Sequence, residues 1–349
     1  MHPIIRKTQL KSTQKKILGW VLILGFVGVI AAYYVLFSGN AGGGNGDYFY
    51  VKSTDSYERM RENLIKNNVI SNVQTFDLVA DKMNLRNTFK PGRYKITSSM
   101  SNLGLVRKIR NGRSEPVVLK LKSEISRDSL LTFLGDNFEC SKAEIVDVLA
   151  SEWATKNGFT SENVFVIFLP DHYFINWATP ADKLVERFLT EYKKYWTAER
   201  IAKAKIQNLT PQEASILASV VDGEAIHVSE MATIAGLYLN RIEKGIPLQA
   251  DPTILYVVGR EGRRRVLYED LKKADPYNTY LNRGLPPGPI FSADKKAIEA
   301  VLSPKKHDYI FMCAKPDGSY KHNFTASMAE HNKNAAAYRR FMDSQGVKR

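Results

Sequence analysis

Residues 209–224, LTPQEASILASVVDGE, are the stretch on which the reading of the fold turns. Thr210 suits a helix N-cap, Pro211 suits the first helical position, and Glu213 stands three residues after Thr210 as a capping box requires. These signals predict a helix beginning at Pro211. Leu217, Val220, Val221 and Glu224 then fall at i, i+3, i+4 and i+7, which sets the Glu224 carboxylate on the apolar stripe. A carboxylate at the edge of an apolar face loses water, so its neutral form is favoured and its pKa rises. A general acid working near pH 7 needs that property. Asp222, two positions away, is expected to point elsewhere. The spacing taken alone favours the plainer alternative, a helix-end glutamate paired with a basic neighbour, because charged residues often skirt a core.

Downstream, Ser229 is placed to cap a helix running to about Lys244 and closed by Gly245. Three loops rich in amides, hydroxyls, aromatic rings and rigid turns follow: LQADPT (248–253), YNTY (277–280) and GLPPGPI (284–290). Aromatic faces can stack on sugar rings while amides and carboxylates bond hydroxyls, so three such loops after one placed glutamate suit a groove for a sugar chain. A set of well-ordered turns is the competing reading.

Upstream, residues 17–37 form an unbroken run of 21 uncharged residues, long enough as one helix to span the ~30 Å of bilayer hydrocarbon. Trp20 lies near one end of the run and Tyr33 and Tyr34 near the other, where such rings favour the interfaces. Arg6, Lys7, Lys11, Lys15 and Lys16 precede it without an acid, so residues 1–16 are expected to remain cytoplasmic and everything after Phe37 to lie outside. A cleaved signal peptide has a shorter apolar core and a better cleavage site than SGNAGGGNG offers. Residues 38–46 read as a flexible linker that reaches only about 15–18 Å as a random coil. Residues 47–115 alternate short strands (from Tyr48, and Gly92 to Ile96) with short helices (56–66, from Phe76, 103–109), a small α+β module. Residues 116–349 form the second unit: VVLKL (117–121) enters it as a strand, and 181–196 is an amphipathic helix with Leu184, Val185, Phe188, Leu189 and Tyr192 on one face.

The chain has 349 residues and a formal charge of +14, of which five positive charges belong to the tail before the apolar run. The remaining +9 over more than 300 residues gives no case for nucleic acid. The basic cluster Arg260, Arg263, Arg264 and Arg265 lies on the wrong side of a membrane for it. Cys140 and Cys313 are too far apart for a CxxC site, which excludes a zinc ribbon and leaves one bridge open. GxSxG, HExxH, GxxxxGK[ST] and a strand-linked GxGxxG are all missing. His322 and His331, nine apart with Asn323 and Asn332 beside them, match no metal-ligand spacing and read as structural or substrate-contacting. No metal and no cofactor is expected.

LASVVDGEA (217–225), NRIEKGIPLQADPTILY (240–256), YNTYLNRGLPPGPI (277–290) and HNFTASMAEHN (322–332) agree in order and spacing with a known family. They resemble the signatures of the MltG/YceG-like endolytic murein transglycosylases. The family's catalytic acid is the second glutamate of a segment usually written ASIVEKE. Here the segment is ASVVDGE, with the functional position kept as Glu224, Asp222 in place of the first acid and Gly223 in the middle. The resemblance implies an α+β chain: a single N-terminal transmembrane helix, a small LysM-like α+β subdomain and a mixed α/β catalytic domain. It implies non-hydrolytic cleavage of the MurNAc-β-1,4-GlcNAc bond within nascent peptidoglycan strands, giving 1,6-anhydro-MurNAc ends during cell-wall assembly. Glu224 would be the acid and base, and Gln249, Asp251, Thr253, Tyr277, Asn278 and Tyr280 would line the groove. The implied setting is the inner membrane, single-pass with the catalytic domain periplasmic, peptidoglycan glycan strands as substrate and cell-wall synthases as partners. No second acid has an obvious claim in the sequence, in keeping with substrate-assisted mechanisms. Two other readings stay open: a membrane-tethered peptidoglycan-binding scaffold without catalysis, and a lysozyme-type hydrolase that leaves a reducing end.

Overall fold

The computed structural model describes residues 12–42, 48–259 and 266–345. Arg6, Lys7 and Lys11, positions 43–46 of the expected linker and the cluster Arg260, Arg263, Arg264 and Arg265 lie outside the described residues. The chain divides into two compact units, one of Met1–Pro116 with Asn176–Ala178 and one of Val117–Ile175 with Thr179–Arg349.

The first unit holds α1 (Ser12–Phe37), β1 (Tyr48–Val51), α2 (Tyr57–Lys66), α3 (Val73–Lys82), β2 (Gly92–Lys95) and α4 (Asn102–Arg110). Within α1, Gln14–Phe37 is long and apolar enough to cross a membrane, with a mean hydropathy of 2.3 and none of that window buried. β1 and β2 pair antiparallel, Tyr48 opposite Lys95 and Val51 opposite Gly92. Side-chain caps from Ser56, Asn72 and Ser101 start α2, α3 and α4, satisfying N–H groups that the first turn leaves over. Met60, Leu64, Phe76, Leu85, Tyr94 and Ile109 are fully buried between these helices and the strand pair.

Residues 38–42 are not the free coil expected of a linker. Gly39 bridges to Ser101 and Ala41 to Ile70, and the buried Asn40 donates to the Asn102 Oδ1 (2.6 Å) and the Asn72 carbonyl (2.8 Å). Asn102 in turn donates to the Val35 carbonyl at the end of α1 (2.9 Å). An amide that bonds on both sides holds backbone that composition alone marks as flexible.

The second unit comprises β3 (Val117–Leu121), α5 (Arg127–Asn137), α6 (Lys142–Ala150), α7 (Glu152–Lys156), β4 (Asp171–Ile175), α8 (Ala181–Tyr195), α9 (Ala198–Ile206), α10 (Pro211–Glu224), α11 (Val228–Glu243), α12 (Asp251–Val258), α13 (Lys295–Leu302), β5 (Phe311–Ala314), β6 (His322–Thr325) and α14 (Met328–Ser344). β3 pairs antiparallel with β4 and β5 with β6, so the class is α+β with small sheets. Residues 163–167 form a 3₁₀ turn.

At the centre lies α10. Its capping box is formed, Thr210 accepting from the Glu213 N–H while Glu213 accepts from the Thr210 N–H, with Pro211 at the first position. Every residue from Ala214 to Asp222 is buried, so the helix is apolar nearly all round and not merely along one stripe. Leu217, Val220 and Val221 are fully enclosed, each such side chain contributing about 1.5–3 kcal/mol. Its polar residues fasten neighbouring chain: the Ser219 hydroxyl accepts from the Ile290 N–H (3.1 Å), and the Asp222 carboxylate from the Asp294 N–H (2.9 Å). Asp222 is therefore buried and engaged, because a helix packed on all sides leaves no solvent side for it to face. His227, not Ser229, is the residue at the N-cap position of α11, and Gly245 follows its end at φ +63°. Cys140 and Cys313 are both free thiols, so the bridge that the sequence leaves open is not formed.

Candidate active site

Glu224 is the last residue of α10, where the helix dipole is negative and an anion is least welcome. Burial pushes its carboxyl up to about 8, the nearby Asp251 carboxylate adds to this, and hydrogen bonds from Tyr238 and the Asp251 backbone N–H pull partly the other way. Tyr238, buried on α11, donates from its hydroxyl to Glu224 Oε1 at 3.0 Å. Tyr238 keeps its own proton, its phenol raised by burial and then by Glu224. A carboxyl raised to about 8 is mainly in its neutral form at pH 7, the state that a general acid requires.

Gly223 lets α12 come this close. A Cβ there would stand 2.8 Å from Pro252 Cβ and 3.2 Å from Phe291 Cζ, nearer than packed carbons sit. Without it, the start of α12 reaches the end of α10, and Asp251 presents both a backbone N–H and a carboxylate to the region of Glu224. The glycine of GE, where the family usually has lysine, thus leaves room for close packing at the site. The Asp251 side chain is exposed and is held by the Tyr280 hydroxyl, which donates to Oδ1 at 2.6 Å. Tyr280 is raised by burial, then by Asp251 and Glu224.

The loop that carries Gln249 is built around Arg241. This buried guanidinium donates to the Pro247 carbonyl (2.8 Å), the Ile310 carbonyl (2.6 Å) and the Gln249 side-chain oxygen. Gln249 sits at φ +53° with its N–H on the Thr279 carbonyl (3.0 Å), and is exposed.

Of the expected groove residues, the structure brings Glu224, Asp251, Tyr280 and Gln249 into this one neighbourhood. The other three are framework. Thr253 is fully buried, its hydroxyl bonded to the Ala250 carbonyl (2.7 Å) and the Thr279 hydroxyl (2.8 Å), because it falls on the inner face of α12. Asn278 is fully buried, donating to the Leu271 and Lys273 carbonyls (3.0 and 2.8 Å) and accepting from the Tyr280 N–H (2.9 Å). Tyr277 is buried with its hydroxyl between Arg127 and Glu162, both at 3.0 Å. A cavity of about 860 Å³, lined among others by Arg127, Leu255, Tyr256 and Phe291, shares Pro252 and Phe291 with the Gly223 contact but is not lined by Glu224.

Tyr238, Arg241 and the spacing role of Gly223 escape the reading of the sequence. Tyr238 stands in an apolar helix and reads as core. The available signal is that a buried tyrosine hydroxyl requires a partner. His322 is bonded to the buried Glu230 through its N–H (3.0 Å) and Nδ1 (3.2 Å), a structural pairing. His331 stacks on Phe311 with ring centroids 5.2 Å apart, and burial, then Arg241, lowers its pKa. Among the described residues, no three His, Cys, Asp or Glu side chains are gathered as metal ligands.

The YceG-like family model matches residues 49–337. An endolytic murein transglycosylase of Bacillus subtilis is 27% identical over 305 residues, covering 82% of this chain and 83% of that protein. One from Streptococcus pneumoniae serotype 2 is 26% identical over 280 residues, covering 71% of this chain and 50% of that longer relative. A solved structure of a yceG-like protein from Listeria monocytogenes superposes with a TM-score of 0.54 at 24% identity, over 82% of this chain and 97% of that one, a likeness of fold.

Proposed function

Since the chain belongs to the YceG-like family, we propose that it is a peptidoglycan lytic transglycosylase that cuts glycan strands internally, the activity for which its Bacillus subtilis relative is named. The observation that carries this reading is the placement of the Glu224 carboxyl at the end of the buried helix α10, bonded by the Tyr238 hydroxyl at 3.0 Å beside the start of α12, where burial raises its pKa. In the proposed reaction Glu224 protonates the glycosidic oxygen between MurNAc and GlcNAc as that bond breaks. The substrate's 2-acetamido oxygen supports the electron-poor anomeric carbon. The Glu224 carboxylate then takes the proton of the muramyl 6-hydroxyl, whose oxygen bonds to the anomeric carbon and closes the 1,6-anhydro ring. One proton leaves Glu224 and one returns, and no water is consumed.

Asp251 supports this chemistry in a way that the sequence does not reveal. Its carboxylate, steadied by Tyr280, keeps Glu224 proton-loaded and places negative charge beside a site where positive charge develops. It also gives a lysozyme-type hydrolase a specific basis as the second reading, since a second carboxylate is what such an enzyme requires. Digestion of peptidoglycan in H₂¹⁸O separates the two. The transglycosylase gives anhydro ends without heavy oxygen, and a hydrolase gives reducing ends that carry it.

The setting follows as part of the same proposal. Helix α1 anchors the chain in the inner membrane with the basic tail cytoplasmic and everything after Phe37 outside. The β1–α2–α3–β2 order of the first unit supports a LysM-like subdomain over residues 47–115. Bonds that fix residues 38–42 to that unit shorten the tether and keep catalysis near the membrane face, where new strands emerge and cell-wall synthases are the expected partners.

A further inference from the structure

Beyond Glu224 the chain turns through residues 225–227 into α11, and the β5–β6 hairpin is fastened once to this turn and once to the first turn of α11. His227 Nε2 is bonded to the Ser319 carbonyl at 2.8 Å, and Glu230 holds His322 through its N–H and Nδ1 at 3.0 and 3.2 Å. Between the two fastened hairpin residues stands Tyr320. Its backbone lies at φ +57°, in the left-handed region where glycine rests freely and tyrosine is strained. Its ring is 68% exposed, so core packing does not account for a tyrosine at this position. Ile226 and Val228, which flank His227 where it bonds Ser319 next to Tyr320, are 68% and 53% exposed. The tip around Tyr320 is well defined: Ser319 N–H and hydroxyl bond to the Asp317 carboxylate (2.9 and 2.5 Å), and the Lys315 N–H to the Lys321 carbonyl (2.8 Å).

We propose that Tyr320, with Ile226 and Val228, forms a stacking platform for a pyranose ring of the glycan strand, a binding subsite at the turn that follows Glu224. This rests on the strand-cleaving reading above and names where one sugar of that strand is held. An aromatic face and two aliphatic side chains fit the C–H face of a sugar ring, whose hydroxyls stay in water. A strained tyrosine pinned by His227 and Glu230 presents that face already oriented, so little freedom is lost on binding.

The test uses the full-length chain in detergent micelles with Glu224→Gln in all proteins, so that strands are bound and not cut. Purified glycan strands freed of peptides are the probe. Tyr320→Gly removes the ring and relieves the φ strain, so its melting temperature equals or exceeds that of the parent. Tyr320→Phe keeps the ring. Loss of about tenfold in strand affinity for the Gly variant, with the Phe variant within about twofold of the parent, is the expected result. Equal affinity for the Gly variant and its parent overturns the subsite, as does equal loss in the Gly and Phe variants. The chain with native Glu224 is assayed separately for anhydro products. If these are missing while the affinity pattern holds, the chemistry proposed above fails and the subsite stands.

Discussion

Replacing Glu224 by Gln removes a carboxyl whose charge the site resists, so the inactive variant should be the more stable protein, increasingly so as pH rises. The ordinary glutamate titrates at 4.5 and Glu224 near 8. Between those values the folded chain holds a proton that the unfolded chain has released, and stability falls by up to about 1.4 kcal/mol per pH unit. The fall begins near pH 4.5 and is complete above 8. Across the whole window the shift is worth about 5 kcal/mol, an upper figure because water entering the site screens the ion. From pH 5.5 to 7.5 it is about 2–3 kcal/mol. Gln has no proton to lose and its amide oxygen can still accept from Tyr238, which isolates the titration. At about 2–4 °C per kcal/mol for a unit of this size, the gap in melting temperature between variant and wild type should widen by about 5–11 °C over that range. Thermal melts of both proteins at several pH values measure it directly. Parallel curves would refute the reasoning, since they would mean that Glu224 does not carry the proton assigned to it.

The partners of Glu224 should move its titration in opposite directions. Asp251→Asn removes a neighbouring negative charge, so the alkaline limb of kcat/KM moves to lower pH; Tyr238→Phe removes a donor to the carboxylate and moves it to higher pH. An unmoved limb in both variants would show that the limb belongs to another group. Gly223→Ala should destabilise by about 1–3 kcal/mol in urea unfolding although Ala is the better helix former, because its Cβ meets Pro252 at 2.8 Å. Activity should fall with it as Asp251 is pushed back, and a stabilised or fully active variant would contradict the packing argument.

What could be read in advance, and what could not, divides along physical lines. The capping box at Thr210 and Glu213 is local chemistry and is present as read. The side on which Asp222 lies could not be read, because periodicity presumes a wet face and α10 has almost none. The loop reading of residues 248–253 missed α12, although an acid followed by proline is a recognisable helix start. Thr253 and Asn278 are polar and near the site in sequence, yet their bonds run to backbone within the fold. Polarity in a loop marks a hydrogen-bond requirement, not the partner that meets it. Asp251 acquires its relation to Glu224 only through the Gly223–Pro252 contact, 29 residues apart in sequence, which no local pattern encodes. Likewise residues 38–42 carry linker composition, and their order comes from Asn40 and Asn102 meeting across the fold.

The central claim is that Glu224 is the acid and base of a strand-cleaving, water-independent reaction. Mass spectrometry of the fragments released from peptidoglycan by wild type and by Glu224→Gln tests it most directly. The account predicts 1,6-anhydro-ended fragments from the wild type and none from the variant, with both proteins folded. Anhydro fragments from both in similar yield, or reducing ends from the wild type, would contradict it.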